Sequence, residues 1–125
     1  MNRAHKKLEV WKESVALATD IYKLTDIFPK SEIYGLVSQM RRAAVSVPSN
    51  IAEGAARNSD KEFAQFLNIA GGSLSELDTQ VEIASNLGFV PNESREHIDV
   101  KISAIAAKLA GLITNIRKRL IPCEK

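Results

Sequence analysis

Apolar residues recur along most of this chain at alternating spacings of three and four positions, which places them on one face of an α-helix. Four such stretches are separated by proline, glycine or serine, and they predict helices over residues 8–27, 31–57, 59–87 and 93–120. The apolar positions of the last three stretches are Ile33, Val37, Met40, Ala44, Val47 and Ile51; Phe63, Leu67, Ala70, Leu74, Leu77, Val81 and Ala84; and Ile98, Ile102, Ile105, Leu109, Leu112 and Ile116. Short links and a repeat close to seven residues favour lengthwise packing of neighbouring helices. The pattern therefore predicts an all-α, antiparallel, up-and-down four-helix bundle with left-handed crossings, forming one domain over residues 1–125.

The first stretch carries more apolar residues than a helix packed on one side requires. One stripe consists of Leu8, Trp11, Val15, Ala18 and Tyr22, and a second consists of Val10, Leu17, Ile21, Leu24 and Phe28. The surplus predicts that part of this helix is buried against another subunit.

The ends of the predicted helices carry capping signals. Ser31 is a candidate N-cap for the second helix, with the Glu32 carboxylate in the first turn. The sequence Ser-Asp-Lys-Glu at residues 59–62 has the capping-box pattern, and Gly88 is placed to end the third helix in a left-handed conformation. Pro122 ends the fourth stretch.

Two interior features break the helical rules. Pro48 lies within the second stretch and predicts a kink near residues 45–48, although the apolar periodicity continues through it. Gly71 and Gly72 lie in the middle of the third stretch, where each glycine costs about 1 kcal/mol relative to alanine. We expect close approach of a neighbouring backbone to compensate for them.

Composition indicates a globular protein without a membrane span. The 125 residues are 45% hydrophobic and 26% charged, and no apolar run approaches the length of about 18 residues that a bilayer requires. The single cysteine, Cys123, cannot form an internal disulfide, which favours a reducing compartment and a cytoplasmic location.

The net charge is only +2, but it is unevenly distributed. Residues 1–7 and 92–125 each carry +3, whereas residues 59–91 carry −4. Such asymmetry can steer a charged partner. The candidate nucleic-acid contacts are Arg3, Lys6, Lys7, Arg117, Lys118 and Arg119.

The sequence offers little catalytic chemistry. The two histidines, His5 and His97, belong to no Glu-x-x-His motif of the kind that builds a di-iron bundle. Cys123 has no histidine nearby in sequence, and the glycines lack the spacing of a phosphate-binding loop. We therefore predict no catalytic site, no metal and no cofactor.

The segment from Arg41 to Arg57 is the unusual part of the chain. Its small residues permit close helix packing, and Arg42, Ser46, Ser49 and Glu53 share one face. Asn50 and Glu53 could bond to backbone groups released by the proline or pair with Arg42. Two interpretations remain open: an interhelical or intersubunit polar network, and a ligand or nucleic-acid contact.

The run FPKSEIYGLVSQMRRAAVSVPSNIAEGAAR and the following EFAQFLNIAGGSLSELDTQVEIASNLGF resemble a bacterial family of four-helix bundles. The family is encoded in intervening sequences of 23S rRNA genes and is related to the accessory variability proteins of diversity-generating retroelements. The resemblance covers residues 8–120. Its matching positions are Phe28, Pro29, Glu32, Gly35, Leu36, Gln39, Arg42, Ala43, Ser46, Pro48, Asn50, Ile51, Ala52, Glu53, Gly54, Phe66, Leu67, Ala70, Gly72, Ser73, Glu76 and Leu77.

The resemblance implies a ring-shaped homopentamer with a central channel, no catalytic activity and no cofactor. Retroelement members of the family are strongly basic, bind nucleic acid and engage a reverse transcriptase. The motif positions to which the resemblance gives structural or interface roles are Arg42, Ser46, Pro48, Asn50, Glu53, Gly54, Gly72 and Glu76.

We therefore predict a non-enzymatic, oligomeric and pentameric binding or scaffold module. Its expected partners are further copies of itself, RNA or DNA, and a reverse transcriptase or another protein. The first alternative is a module that binds proteins alone, without nucleic acid. The second is a metal-dependent bundle enzyme.

Overall fold

A computed structural model describes residues 3–120, within which the regular structure is entirely helical, as predicted. The four α-helices are α1 (Glu9–Thr25), α2 (Ser38–Ala55), α3 (Asp60–Asn86) and α4 (Asn92–Leu120). A short 3₁₀ helix, Ala4–Lys7, precedes α1. None of the helices in this part of the chain combines the length and the apolar character that a membrane crossing requires.

The four helices close into a bundle in which α1 packs on α2 and α4, while α3 packs on α2 and α4. Ion pairs show the antiparallel arrangement of the first and last helices. Asp20, late in α1, pairs with Lys101 early in α4, and Glu13 pairs with Lys108 further along α4. The chain therefore runs up and down, and successive helix ends alternate between the two ends of the bundle.

The core consists largely of the predicted apolar positions of α2, α3 and α4. Val37, Leu67 and Ile105, one from each of the last three predicted helices, are 6%, 0% and 0% exposed. Burial of one such side chain is worth about 1.5–3 kcal/mol. Two buried hydroxyls, on Ser14 and Thr25, donate to the carbonyls of the residues four positions earlier, so neither is left unpaired. Packing along the predicted faces therefore accounts for the fold.

The two apolar stripes of α1 have different environments. The second stripe, from Val10 to Phe28, is buried in the core. In the first stripe, Val15 and Tyr22 remain 38% and 46% exposed, and Leu8, Trp11 and Ala18 are half-buried. The surplus predicted from the sequence is thus on the surface of the single chain.

The start of the second helix differs from the prediction. Instead of a cap at Ser31, a 3₁₀ turn (Lys30–Glu32) leads into a π-helical turn (Ile33–Val37), and α2 begins at Ser38. The Glu32 carboxylate, not the Ser31 hydroxyl, accepts a hydrogen bond from the Leu36 N–H at 3.1 Å.

The backbone at Gly35 explains why Ile33, which the sequence placed in the core, is exposed. Its φ of −111° and ψ of −108° depart from helical geometry. This departure changes the register before α2, so Ile33 is 49% exposed although its spacing placed it in the core.

α2 continues through Pro48 without a break, as predicted.

The glycines of α2 and α3 have different roles from those expected. The close approach lies at Gly54, where an added Cβ would be 2.8 Å from the Phe66 Cβ and 3.2 Å from the Phe63 carbonyl oxygen. Gly71 and Gly72 would meet no atom within 4 Å, because they lie on the outer part of α3, so the predicted close approach there is wrong.

The ends of α3 follow the sequence signals. The Ser59 hydroxyl accepts from the Glu62 N–H at 3.1 Å, and Gly88 has a φ of 81°, the left-handed value that glycine adopts without strain. α4 begins at Asn92. Pro122 and Cys123 lie outside the described residues.

Candidate nucleic-acid interface

The polar residues of α2 form a hydrogen-bonded cluster with α3. The hydroxyls of Ser46 and Ser73 are 2.8 Å apart. The Asn50 amide donates to the Ser46 carbonyl at 2.8 Å and to the Ser46 hydroxyl at 2.9 Å. This geometry agrees with the structural interpretation of the segment from Arg41 to Arg57. The sequence placed Ser46 and Asn50 in the cluster but did not identify Ser73 as their partner.

The other polar residues predicted with this cluster are not part of it. Glu53 pairs with Arg57 at 2.6 Å, and the Arg57 guanidinium lies over the Phe66 ring. The Arg42 side chain is exposed and makes no hydrogen bond or ion pair with any residue between 3 and 120. Within the chain, Arg42 therefore pairs with neither Asn50 nor Glu53, and its suggested pairing across an interface stays a prediction. The Asn50 amide reaches back only one helical turn, to Ser46, and so does not extend to Arg42 two turns away.

Pro48 and Glu76 have unrelated environments. Pro48 is buried near the middle of α2, and Glu76 is exposed on α3.

Among the acidic residues of the third segment, Glu82 pairs with Arg95 of α4, which also pairs with Asp99. The hydrogen bonds that the Arg95 guanidinium donates to the Glu82 and Asp99 carboxylates raise its pKa.

The topology brings both basic ends of the sequence to one end of the molecule. α1 begins there, α4 ends there, and the link between α2 and α3 crosses the same end. The N-terminal 3₁₀ helix also contacts α2. The exposed cations Arg3, Lys6 and Lys7 therefore lie at the same end as Arg117 and Lys118. We call this surface the basic end.

Arg119 is held by an acidic partner at the basic end. Its Nε and Nη2 donate to the two Asp60 carboxylate oxygens at 3.0 and 3.1 Å. These hydrogen bonds lower the pKa of Asp60 and raise that of Arg119. Arg119 is consequently a weaker candidate contact than its sequence neighbours, because its charge is already matched.

The remaining cations of the basic end are exposed and unpaired within residues 3–120. They are Arg3, Lys6, Lys7, Lys61, Arg117 and Lys118. Sequence reasoning missed Lys61, because it lies in the acidic third segment. Only the α2–α3 link brings it beside the chain ends. Glu62 is an unpaired acid in the same region, so this surface carries a cationic excess.

The histidines have structural neighbours. His97 Nε2 is 3.2 Å from an Asp20 carboxylate oxygen, and the His5 ring contacts Trp11 edge to face with centroids 4.9 Å apart. In the described part of the chain, no three His, Cys, Asp or Glu side chains are placed to hold a metal ion.

A groove of about 390 Å³ runs along the outside of α1 and α2. Its lining is almost wholly apolar and consists of Val15, Ala18, Thr19, Tyr22, Val45 and Pro48. This α1–α2 groove contains the exposed stripe of α1. It is therefore the place where the apolar surplus of the sequence remains uncovered in a single chain.

Comparison with known proteins decides the family. Residues 6–111 match the family described as 23S rRNA-intervening sequence protein. This chain belongs to that family. A search of curated proteins found no match. The family assignment confirms the resemblance seen in the sequence.

A solved structure shows the same fold. It is the crystal structure of a protein of unknown function from the S23 ribosomal protein family of Bacteroides thetaiotaomicron. The two share 24% sequence identity, with a TM-score of 0.78 over 84% of this chain and 95% of the other. At this identity the similarity concerns the fold alone. It supports the helical bundle of this member of the 23S rRNA-intervening sequence family.

Proposed function

We propose that this protein is a non-enzymatic, self-associating bundle that binds RNA through its basic end. The observation that carries the proposal is the convergence of Arg3, Lys6, Lys7, Arg117 and Lys118 at one end without acidic partners among the described residues. Cations in this state are available to phosphates. RNA is the preferred nucleic acid because the family is that of 23S rRNA-intervening sequence proteins.

Self-association would strengthen such binding. The α1–α2 groove supports an interface between copies, since a second subunit would cover its apolar lining. In a closed ring all subunits are related by one rotation axis, so the basic ends would occupy equivalent positions around that axis. Five copies, the number that the family resemblance implies, would present five basic ends to one RNA and gain affinity through multivalency.

The proposal predicts strongly salt-dependent RNA binding. Neutralising phosphates releases condensed counterions, and about six such contacts cost about 10³-fold in affinity between 50 and 200 mM salt. Fluorescence anisotropy with labelled fragments of 23S rRNA at both salt concentrations measures this loss. Binding that is absent at low salt would eliminate the nucleic-acid function and favour a module that binds only proteins.

Matched variants locate the contact. Lys118→Gln removes an exposed cation from the basic end, and Lys23→Gln removes one from the opposite end of α1. We expect Lys118→Gln to weaken RNA binding and to reduce the slope of log K against log salt by about 0.7–0.9, the value for one phosphate contact. Lys23→Gln should leave both unchanged. Equal effects of the two would indicate attraction by overall charge, not by the basic end.

A further inference from the structure

A separate pocket lies at the end of the bundle opposite the basic end. It occupies about 640 Å³ between the end of α1, the π-helical turn and the start of α2. Small-molecule sites commonly enclose about 300–1,000 Å³, so the volume suits a ligand of the size of a nucleotide. We call it the corner pocket.

Arg41 forms a fixed wall of the corner pocket. Its Nε donates to the Thr25 hydroxyl at 2.8 Å, and its Nη2 donates to the Tyr22 carbonyl at 3.1 Å and to Asp26 at 3.3 Å. The guanidinium carbon also lies 4.5 Å from the centroid of the Tyr22 ring. Arg41 is therefore held in place, and its charge is matched by Asp26.

Two further cations of the pocket have no such match. Lys30 and Arg42 both line it, both are exposed, and neither side chain makes a hydrogen bond or ion pair within residues 3–120. The pocket thus holds two uncompensated positive charges. A guanidinium binds phosphate oxygens through two parallel N–H donors, and an ammonium adds a mobile point charge.

An aromatic ring stands beside these cations. Tyr34 lines the pocket and is 97% exposed. It lies in the π-helical turn, next to Gly35, whose non-helical backbone interrupts the regular helix. An exposed ring of this kind offers a stacking surface for a nucleobase, worth about 1–3 kcal/mol per base. Such turns occur frequently at functional sites.

We propose that the corner pocket binds the 5′-phosphate and base of a nucleotide. A phosphate monoester carries a charge of about −1.5 to −2 at neutral pH, which matches Lys30 and Arg42. The base stacks on Tyr34, while Arg41 holds the wall. The ligand is either a free nucleoside monophosphate or the phosphorylated 5′ end of an RNA. The inference does not depend on RNA binding at the basic end.

Calorimetric titration of the full chain tests the ligand class. Adenosine 5′-monophosphate should bind at least tenfold more tightly than either adenosine or inorganic phosphate, because only the nucleotide uses both the cations and the ring. Equal affinity for nucleotide and inorganic phosphate, or no binding of the nucleotide at millimolar concentration, would overturn the proposal. The dinucleotides pApA and ApA then distinguish the source. Tighter binding of pApA than of the mononucleotide indicates an RNA end, and equal or weaker binding indicates a free nucleotide.

Variants assign the residues. Arg42→Gln should weaken nucleotide binding by about tenfold or more, because it loses a charge-assisted contact. Tyr34→Ala should weaken it by about 5- to 150-fold, while Tyr34→Phe keeps the stacking surface and should stay within twofold. Lys23→Gln removes an exposed cation that does not line the pocket, so it is the control and should have no effect. Unchanged binding in folded Arg42→Gln, checked by circular dichroism, would contradict the assignment.

Discussion

Gly54 and Gly72 show how one residue type has different roles in neighbouring helices. Gly54 is buried on α2 against the Phe63 and Phe66 side chains of α3, with no room for a Cβ. Gly72 is exposed on α3 with open space around it. Only the first glycine is required by packing.

We expect Gly54→Ala to destabilise the fold by about 1–3 kcal/mol, because the added methyl group meets the rigid Phe66 Cβ and the Phe63 carbonyl. Gly72→Ala, the matched control, should raise the free energy of unfolding by about 0.5–1 kcal/mol, since alanine loses less backbone entropy in a helix. Urea denaturation measures both. A Gly54→Ala protein as stable as the parent chain would show that α2 and α3 can separate without cost.

At this scale the sequence predicted residue types better than partners. It singled out Ser46 and Asn50 as polar groups amid small apolar residues that need partners, and it left open whether a polar network or a ligand supplies them. It did not identify Ser73 as their partner, and Arg42 does not join them within the single chain. Which side chains meet across α2 and α3 depends on the rotation of each helix, and residue spacing within one helix does not set that rotation.

At the scale of elements, the sequence predicted some helix boundaries and missed others. α3 begins and ends where its cap residues predict, because a cap acts on backbone groups within four residues. α2 begins seven residues after Ser31, because the unusual backbone at Gly35 creates a π-helical turn first. That turn produces the corner pocket, which the sequence analysis did not anticipate.

The cap at α3 leads to a stability prediction. Ser59→Ala removes the acceptor for the Glu62 N–H and should lower the free energy of unfolding by about 1 kcal/mol. Ser75→Ala changes an exposed serine in the middle of the same helix and should be neutral or slightly stabilising, because alanine is the better helix former. Thermal unfolding followed by circular dichroism compares them. Similar melting temperatures for the two variants would argue against the cap.

For the whole molecule, the up-and-down topology has the largest functional consequence. Cations separated by more than a hundred positions, such as Arg3 and Arg117, come to one end of the bundle. Meanwhile the apolar surplus of α1 combines with Val45 and Pro48 of α2 into a continuous groove. The first arrangement is the basis for the proposed RNA binding, and the second is the basis for the proposed assembly.

The groove predicts the behaviour of the protein in solution. Light scattering should give a mass near five times 13.7 kDa. Val45→Glu places a charge in the groove, which would be buried at the interface, and should shift the protein to monomers. Val100→Glu, on the exposed face of α4, should leave the assembly intact. A monomeric parent chain, or an assembled Val45→Glu variant, would contradict this interface.

The sequence by itself determined the helices, most of their buried faces and most of their caps, because periodicity, proline and capping groups act over a few neighbouring residues. The tertiary structure decided which stripe of α1 is buried and which cations remain unpaired. It also decided that Lys30, Tyr34 and Arg42 share a pocket. These outcomes depend on the packing of whole helices against one another, which joins residues that are distant in the chain.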